Sequence, residues 1–334
     1  MTTGKKILFV CPFGNREAKA FAESLAEGLE GWNIKLSDSG LTTFLFETGK
    51  YDIAHFFLPA SKTPFYRAIR KGSRTKVIQT MINLPAKPED YRQAVFADCV
   101  VTFSEQERKA ILQQMPRTLV HTIPPCRSPQ RFENLEAPHS IRERYAVQDR
   151  LFVVALNDFN DQEHFTTFLY TVREYQRRGG FRLLIPLYHR DRRSLLWREK
   201  LQNAIVQENL GATTLLQTEV DVDSLIEAAD MTLLIDKRKN RSFSFPLTAI
   251  LALCSGKPVI THNLPPVDEI IAEFREDWLV KAYEDFSRIS RDLLKQAASL
   301  EQISTDLARF ARARLSVESV AERYKNLYNS MLSR

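Results

Sequence analysis

The sequence predicts an α/β protein built from two doubly wound, Rossmann-like domains. Strand-length apolar runs alternate with segments whose apolar residues recur at helical spacing, on both sides of one aperiodic, Pro-rich interruption at Cys126–Pro138. A second observation is the unit that starts at Pro246. A proline fits the first turn of a helix, the apolar run Leu247–Cys254 follows, Gly256 supplies a stop, and Lys257–Ile260 reads as a short buried strand. Such a unit brings a helix start and a strand end to the rim where open parallel sheets bind ligands.

In the first half, Ile7–Val10 is a continuous apolar strand, Cys11–Asn15 a turn, and Ala18–Leu29 an amphipathic helix. The turn holds one glycine, Gly14, too little for a dinucleotide fingerprint, so Gly14 and Asn15 are loop candidates only. Tyr51–Phe57 and Lys76–Met81 read as the next strands, with a basic helix over Phe65–Lys71 between them. Asp52 and His55 lie on the first of these strands, either as a paired site or as a strand-end carboxylate and a core histidine. Ala97–Ser104 is a further strand and Glu105–Gln114 a helix. The Ser104–Glu107 spacing fits a capping box, which accounts for both residues without catalysis. Val120–Ile123 closes the half.

In the second half, strands are expected at Leu151–Leu156, Phe181–Leu187, Thr214–Gln217 and Asp230–Ile235, and helices at Phe165–Arg178, Asp221–Ala228, Ser290–Leu300 and Val317–Leu332. Two basic clusters stand at loops on the expected rim: His189, Arg190, Arg192 and Arg193 after one strand, and Lys237, Arg238, Lys239 and Arg241 after another. Either could grip an anion through side chains, and either could be a solvated face.

Bulk properties narrow the field. At 334 residues, with 44% hydrophobic and 26% charged content, the chain suits two soluble domains with their own cores. A net charge of +6 admits a phosphate-bearing ligand, an anionic lipid surface or no acidic partner at all. Aromatic residues are not interleaved with cations, so a specific nucleic-acid platform is not expected. The four cysteines form no C-x-x-C pair, which favours buried thiols in a reducing compartment over disulfides or zinc. Without a membrane-length apolar run or signal-like start, a cytoplasmic protein is expected, with peripheral contact at the cytoplasmic face of a membrane left open.

The run Ser255-Gly256-Lys257-Pro258-Val259-Ile260 followed by Asp268-Glu269-Ile270-Ile271 resembles the nucleotide-sugar half of the retaining glycosyltransferases of the GT-B fold, family-four (group 1) type. "VDVDSLIEAADMTLLI" resembles that family's approach to its donor loop, "YDIAHFF" and "TKVIQTMINLP" its acceptor-side strands, and "LSVESVAERYKNLYNSML" its last helix, which crosses back to the first domain. The resemblance implies an acceptor-side domain over residues 1–138, a donor-side domain over 139–312 facing it across a cleft, and a crossing helix over 313–334. It also implies a nucleotide-sugar donor, no metal or other cofactor, and a glycan or lipid-linked acceptor. Donor or phosphate candidates are then His189, Arg190, Arg192, Lys237, Arg238, Arg241 and Glu269; acceptor-side candidates are Gly14, Asn15, Asp52 and His55.

The chain departs from that family where its chemistry is carried. The two helix glutamates that face the donor sugar and ribose fall at Phe243 and Leu251, and no acidic residue occurs from Lys237 to Val267. The arginine and lysine that neutralise the diphosphate are replaced by the acidic loop Asn157–Asp161, which would repel phosphate. Tyr188–Arg193 stands in place of a Gly-x-Gly turn, and Asn83 in place of a histidine. Two classes of function remain: a hexosyltransferase-like enzyme with a degenerate or rebuilt donor site, and a non-catalytic GT-B subunit that serves an active glycosyltransferase.

Overall fold

The computed structural model describes the chain except residues 1–4, 12–14, 39–49, 61–74, 129–135, 148–150, 157–165, 167–168, 171, 174–180, 187–191, 212–213, 218–220, 236–243, 263, 281–282, 297–298 and 334. The expected helix at Phe65–Lys71 and most of that at Phe165–Arg178 lie outside the described residues. Contacts divide the chain into two compact units, one of Met1–Ser128, Lys239–Leu247 and Ala313–Arg334, the other of Pro129–Arg238 and Thr248–Arg312.

The first unit contains β1 (Lys6–Val10), α1 (Arg16–Gly28), β2 (Asn33–Ser37), β3 (Ile53–Pro59), β4 (Lys76–Asn83), α2 (Tyr91–Ala94), β5 (Cys99–Thr102), α3 (Glu105–Gln114) and β6 (Val120–Thr122). Its strands form a parallel sheet in the order β2-β1-β3-β4-β5-β6, so the order reverses between β1 and β3. Ile7–Val10 and Ile53–Leu58 are fully buried, as strands covered on both faces must be. The capping box at α3 forms: Ser104 Oγ accepts from the Glu107 N–H at 3.1 Å, and the Glu107 carboxylate reaches back to the Phe103 N–H at 2.9 Å.

The second unit contains α4 (Pro138–Arg144), β7 (Leu151–Ala155), β8 (Phe181–Pro186), α5 (Arg192–Gln207), β9 (Thr214–Gln217), α6 (Val222–Ala228), β10 (Met231–Ile235), α7 (Leu247–Cys254), β11 (Val259–His262), α8 (Pro265–Arg275), α9 (Tyr283–Lys295) and α10 (Leu300–Leu315). α7 and α10 each begin or end within the first unit. The sheet is parallel, in the order β11-β10-β7-β8-β9, and reverses between β7 and β10. Gly256 stops α7 with a left-handed φ of 73°. Its N–H donates to Leu253 and that of Lys257 to Ala252, at 3.0 and 2.8 Å, which satisfies the last carbonyls of the helix. Any side chain at Gly256 would also collide with the Ser304 backbone, since a Cβ there would lie 2.3 Å from its carbonyl oxygen.

One expectation is corrected here. Ser290–Leu300 is not one helix: α9 ends at Lys295 and α10 starts at Leu300, so the apolar period runs across a break in the backbone.

The last helix, α11 (Val317–Leu332), belongs to the first unit and packs on α1. The fit is tight because Gly28 has no side chain: a Cβ there would fall 2.6 Å from Val317 Cγ1 and 2.8 Å from Ala321 Cβ. Val320, Ala321, Tyr324 and Tyr328 are fully buried, and the two tyrosines are the bulkiest of the fully buried side chains. They meet His55, whose Nδ1 lies 2.7 Å from Tyr328 Oη and whose Nε2 lies 2.7 Å from Thr80 Oγ1; Thr80 in turn lies 3.1 Å from Tyr324 Oη.

Candidate functional site

Ligands of open parallel sheets bind beyond the C-terminal ends of the strands, at the point where strand order reverses. In the second unit that point lies between β7 and β10. The loops that follow β7, β8 and β10 fall outside the described residues, and with them His189, Arg190, Lys237, Arg238, Arg241 and Phe243. Arg192 is the first residue of α5, and the position of its side chain is not described.

Leu251, at one of the two family glutamate positions, is on α7 and only 1% exposed, among Ala249, Ile250, Ala252 and Leu253, which are equally buried. An apolar, buried side chain there offers no acceptor for a ribose hydroxyl.

The turn from β11 into α8 also stands at the C-terminal edge of the sheet, and a helix N-terminus at such an edge ordinarily presents free N–H groups to an anion. Here they are consumed or absent. Leu264 caps the helix and its N–H donates to the Asp268 carboxylate at 2.9 Å. Pro265 and Pro266 occupy the first two helical positions and have no N–H. The N–H groups of Val267 and Asp268 both donate to the Leu264 carbonyl, at 2.9 and 2.8 Å. A carboxylate thus sits where a phosphate would have to be, and no donor in the first turn is spare. Sequence reasoning missed this closure, although adjacent prolines with a carboxylate two residues on were its signal. Glu269, next along the helix, is half-buried and engaged with a partner.

In the first unit, Gly14 lies outside the described residues. Asn15 caps α1, its side-chain oxygen accepting from the Ala18 N–H at 2.9 Å. Asp52 precedes β3, at the sheet edge opposite to the one that binds ligands, and its carboxylate accepts from the Lys6 N–H at 2.7 Å. His55 is fully buried within β3, so the two side chains form no pair. Burial holds the His55 imidazole far below its ordinary pKa, at about 3, and no charged side chain acts on it. Asn83, at the end of β4, accepts from the Ala60 N–H at 2.9 Å, where the β3–β4 register shifts.

All four cysteines are free thiols, three of them buried. Among the described residues no cluster of His, Cys, Asp and Glu could hold a metal ion. No described helix is long and apolar enough to cross a membrane.

Residues 196–310 match the family "Glycosyl transferases group 1". No curated protein sequence matches the chain. Among solved structures, Anabaena HepE in complex with UDP superposes with a TM-score of 0.77 at 13% identity, over 97% of this chain and 100% of that one. Sucrose-phosphate synthase from Thermosynechococcus elongatus gives 0.76 at 14% identity, over 98% and 99%. A glycosyltransferase from Rickettsia africae gives 0.73 at 13% identity, over 99% and 100%. The chain therefore has the GT-B fold of these structures, and its segment 196–310 is similar to the group 1 glycosyl transferases.

Proposed function

We propose that this protein acts in the transfer of a sugar from a nucleotide donor to a glycan or lipid-linked acceptor, through a second domain whose donor site is degenerate. The group 1 match over residues 196–310 supports the assignment to sugar transfer. So does the fold shared with HepE, which was crystallised with UDP and with UDP-glucose. The observation that sets this chain apart is the 1% exposure of Leu251 where the family presents a glutamate. A ribose hydroxyl buried against it without a partner would cost about 1–3 kcal/mol. Any diphosphate must then be held by the cationic side chains of the two rim clusters, Arg190 and Arg241 first among them.

The closed start of α8 favours a second reading, in which the chain is a non-catalytic subunit that binds an active glycosyltransferase. It needs no metal, is cytoplasmic, and meets a membrane only peripherally through a lipid-linked acceptor. A single assay separates the readings. Common sugar nucleotides are screened for release of nucleoside diphosphate by the purified chain, with and without acceptors. Little or no release is expected. Robust release, abolished by Arg190→Ala or Arg241→Ala, would show an active donor site rebuilt from other residues.

A further inference from the structure

A chain of buried hydrogen bonds, Tyr328–His55–Thr80–Tyr324, joins β3 and β4 to α11 in the first unit's interior. Both nitrogens of the imidazole are used, and two of the three hydroxyls belong to the helix. His55 also lies edge-on to Phe9 at 5.4 Å and against Phe57 at 4.1 Å, with the Tyr324 and Tyr328 rings 5.4 and 5.8 Å away. α11 is therefore the lid over this histidine as well as its partner.

Among the described residues, the ring contacts and hydrogen bonds of His55 are all with uncharged groups. These are Phe9 from β1, Phe57 from β3, Thr80 from β4, and Tyr324 and Tyr328 from α11. The thiols Cys99 and Cys126 are felt by the tyrosines, and burial keeps both tyrosines protonated by raising their pKa. Of the helix's own charges, Glu318, Glu322 and Arg323 are exposed and Lys325 is half-buried; Lys5 also reaches the helix, its Nζ lying 2.6 Å from Asn329 Oδ1 and 5.2 Å from the centre of the Trp32 ring, a ring that itself rests on Tyr328. Among the described residues no carboxylate acts on the ring, and the hydroxyls that replace water carry no compensating charge.

We propose that the seating of α11 is proton-linked, with His55 as the latch: the helix docks only over a neutral imidazole, and each undocking event takes up one proton once the ring meets water. The linkage is local to α11, because the ring is shielded from solvent by that helix, whereas its other neighbours are strands of the sheet. An ordinary histidine pKa near 6.5 in the undocked state, against about 3 beneath the helix, sets the range in which the latch works. The docked state holds its full stability above pH 6.5 and loses it as the pH falls toward 3, because the open state binds the extra proton throughout that window. Undocking should thus become about tenfold more frequent for each pH unit below 6.5.

The test is native-state hydrogen exchange on the full chain between pH 7.5 and 5, corrected for intrinsic exchange rates. Amides of α11 are compared with those of α5, which belongs to the second unit. The expected result is an opening constant for Val320–Tyr328 that rises about tenfold between pH 7 and 5.5 while that of α5 stays level. In His55→Gln, which keeps a neutral donor and acceptor, the slope should vanish. An α11 opening constant independent of pH in wild type would overturn the latch, whether or not the variant folds. So would an equal slope in wild type and His55→Gln.

Discussion

At the scale of single residues, a side chain's place in the fold decides which of its chemistries survives. His55 and Asp52 are three positions apart on one strand register, yet one is a desolvated hydrogen-bond hub and the other a surface cap for the Lys6 N–H. Leu251 makes the same point in reverse. Because it is 1% exposed within the packed apolar face of α7, restoring the family's carboxylate there would take a charge out of water. Leu251→Glu should destabilise the protein by several kcal/mol and leave sugar-nucleotide binding unimproved. Chemical denaturation and calorimetry with UDP-glucose would check both halves; a stable variant that bound the donor more tightly would show that the helix can still turn this position toward a ligand.

Among the elements, α8 shows how a helix loses an anion site without losing its helix. Two prolines remove donors, Asp268 caps Leu264, and the first turn is satisfied internally. Replacing these three residues should reopen it. The variant Pro265→Ala, Pro266→Ala, Asp268→Asn restores two N–H groups and removes one negative charge, so inorganic pyrophosphate should bind it at least about tenfold more tightly than wild type. Equal affinity in a folded variant would mean that the turn is shut by something other than these residues. α11 illustrates the opposite case, an element whose local propensity matters less than its buried face. Val320, Tyr324, Leu327, Tyr328 and Met331 are all buried, and each large side chain lost from such a face is worth about 1.5–3 kcal/mol. A chain truncated after Ser316 should therefore lose the cooperative melting of the first unit, seen by circular dichroism, while the fold of the second persists. An unchanged melting curve would show that α11 adds nothing to that core.

For the whole molecule, the sequence was a good guide wherever backbone and side chain say the same thing. Gly256, the run Leu247–Cys254 and the capping pair Ser104–Glu107 each carry a local requirement that no tertiary contact overrides, and all three formed as their residues imply. The β2 strand was not legible, because an edge strand whose pattern is mostly exposed has neither an apolar run nor a clean alternation. α10 was hidden for a related reason: its buried residues Leu307, Ala311 and Leu315 are interleaved with Arg309, Arg312 and Arg314, and one of the three is an alanine, which dilutes the helical period. The loss of a carboxylate at position 251 could be read directly. The closure at α8 was legible only in part: Pro265 and Pro266 announce two missing N–H groups, whereas the bond by which Asp268 spends the Leu264 N–H shows only in the fold. The buried role of His55 depends on Tyr324 and Tyr328, far along the chain, and no local pattern announces a partner at that distance.

The position of α11 in the core of the first unit has a further consequence for biosynthesis. Translation delivers β1 to β6 long before it delivers Tyr324 and Tyr328, and the whole of the second unit's sheet is made in between. Until the helix emerges from the ribosome, the nascent first unit exposes Phe9, Phe21, Phe57, His55 and Thr80 to water or to a chaperone. The earliest part of the chain to be made is thus the last to finish folding, and a ribosome stalled before codon 317 would carry a completed second sheet beside a first one that still lacks its cover.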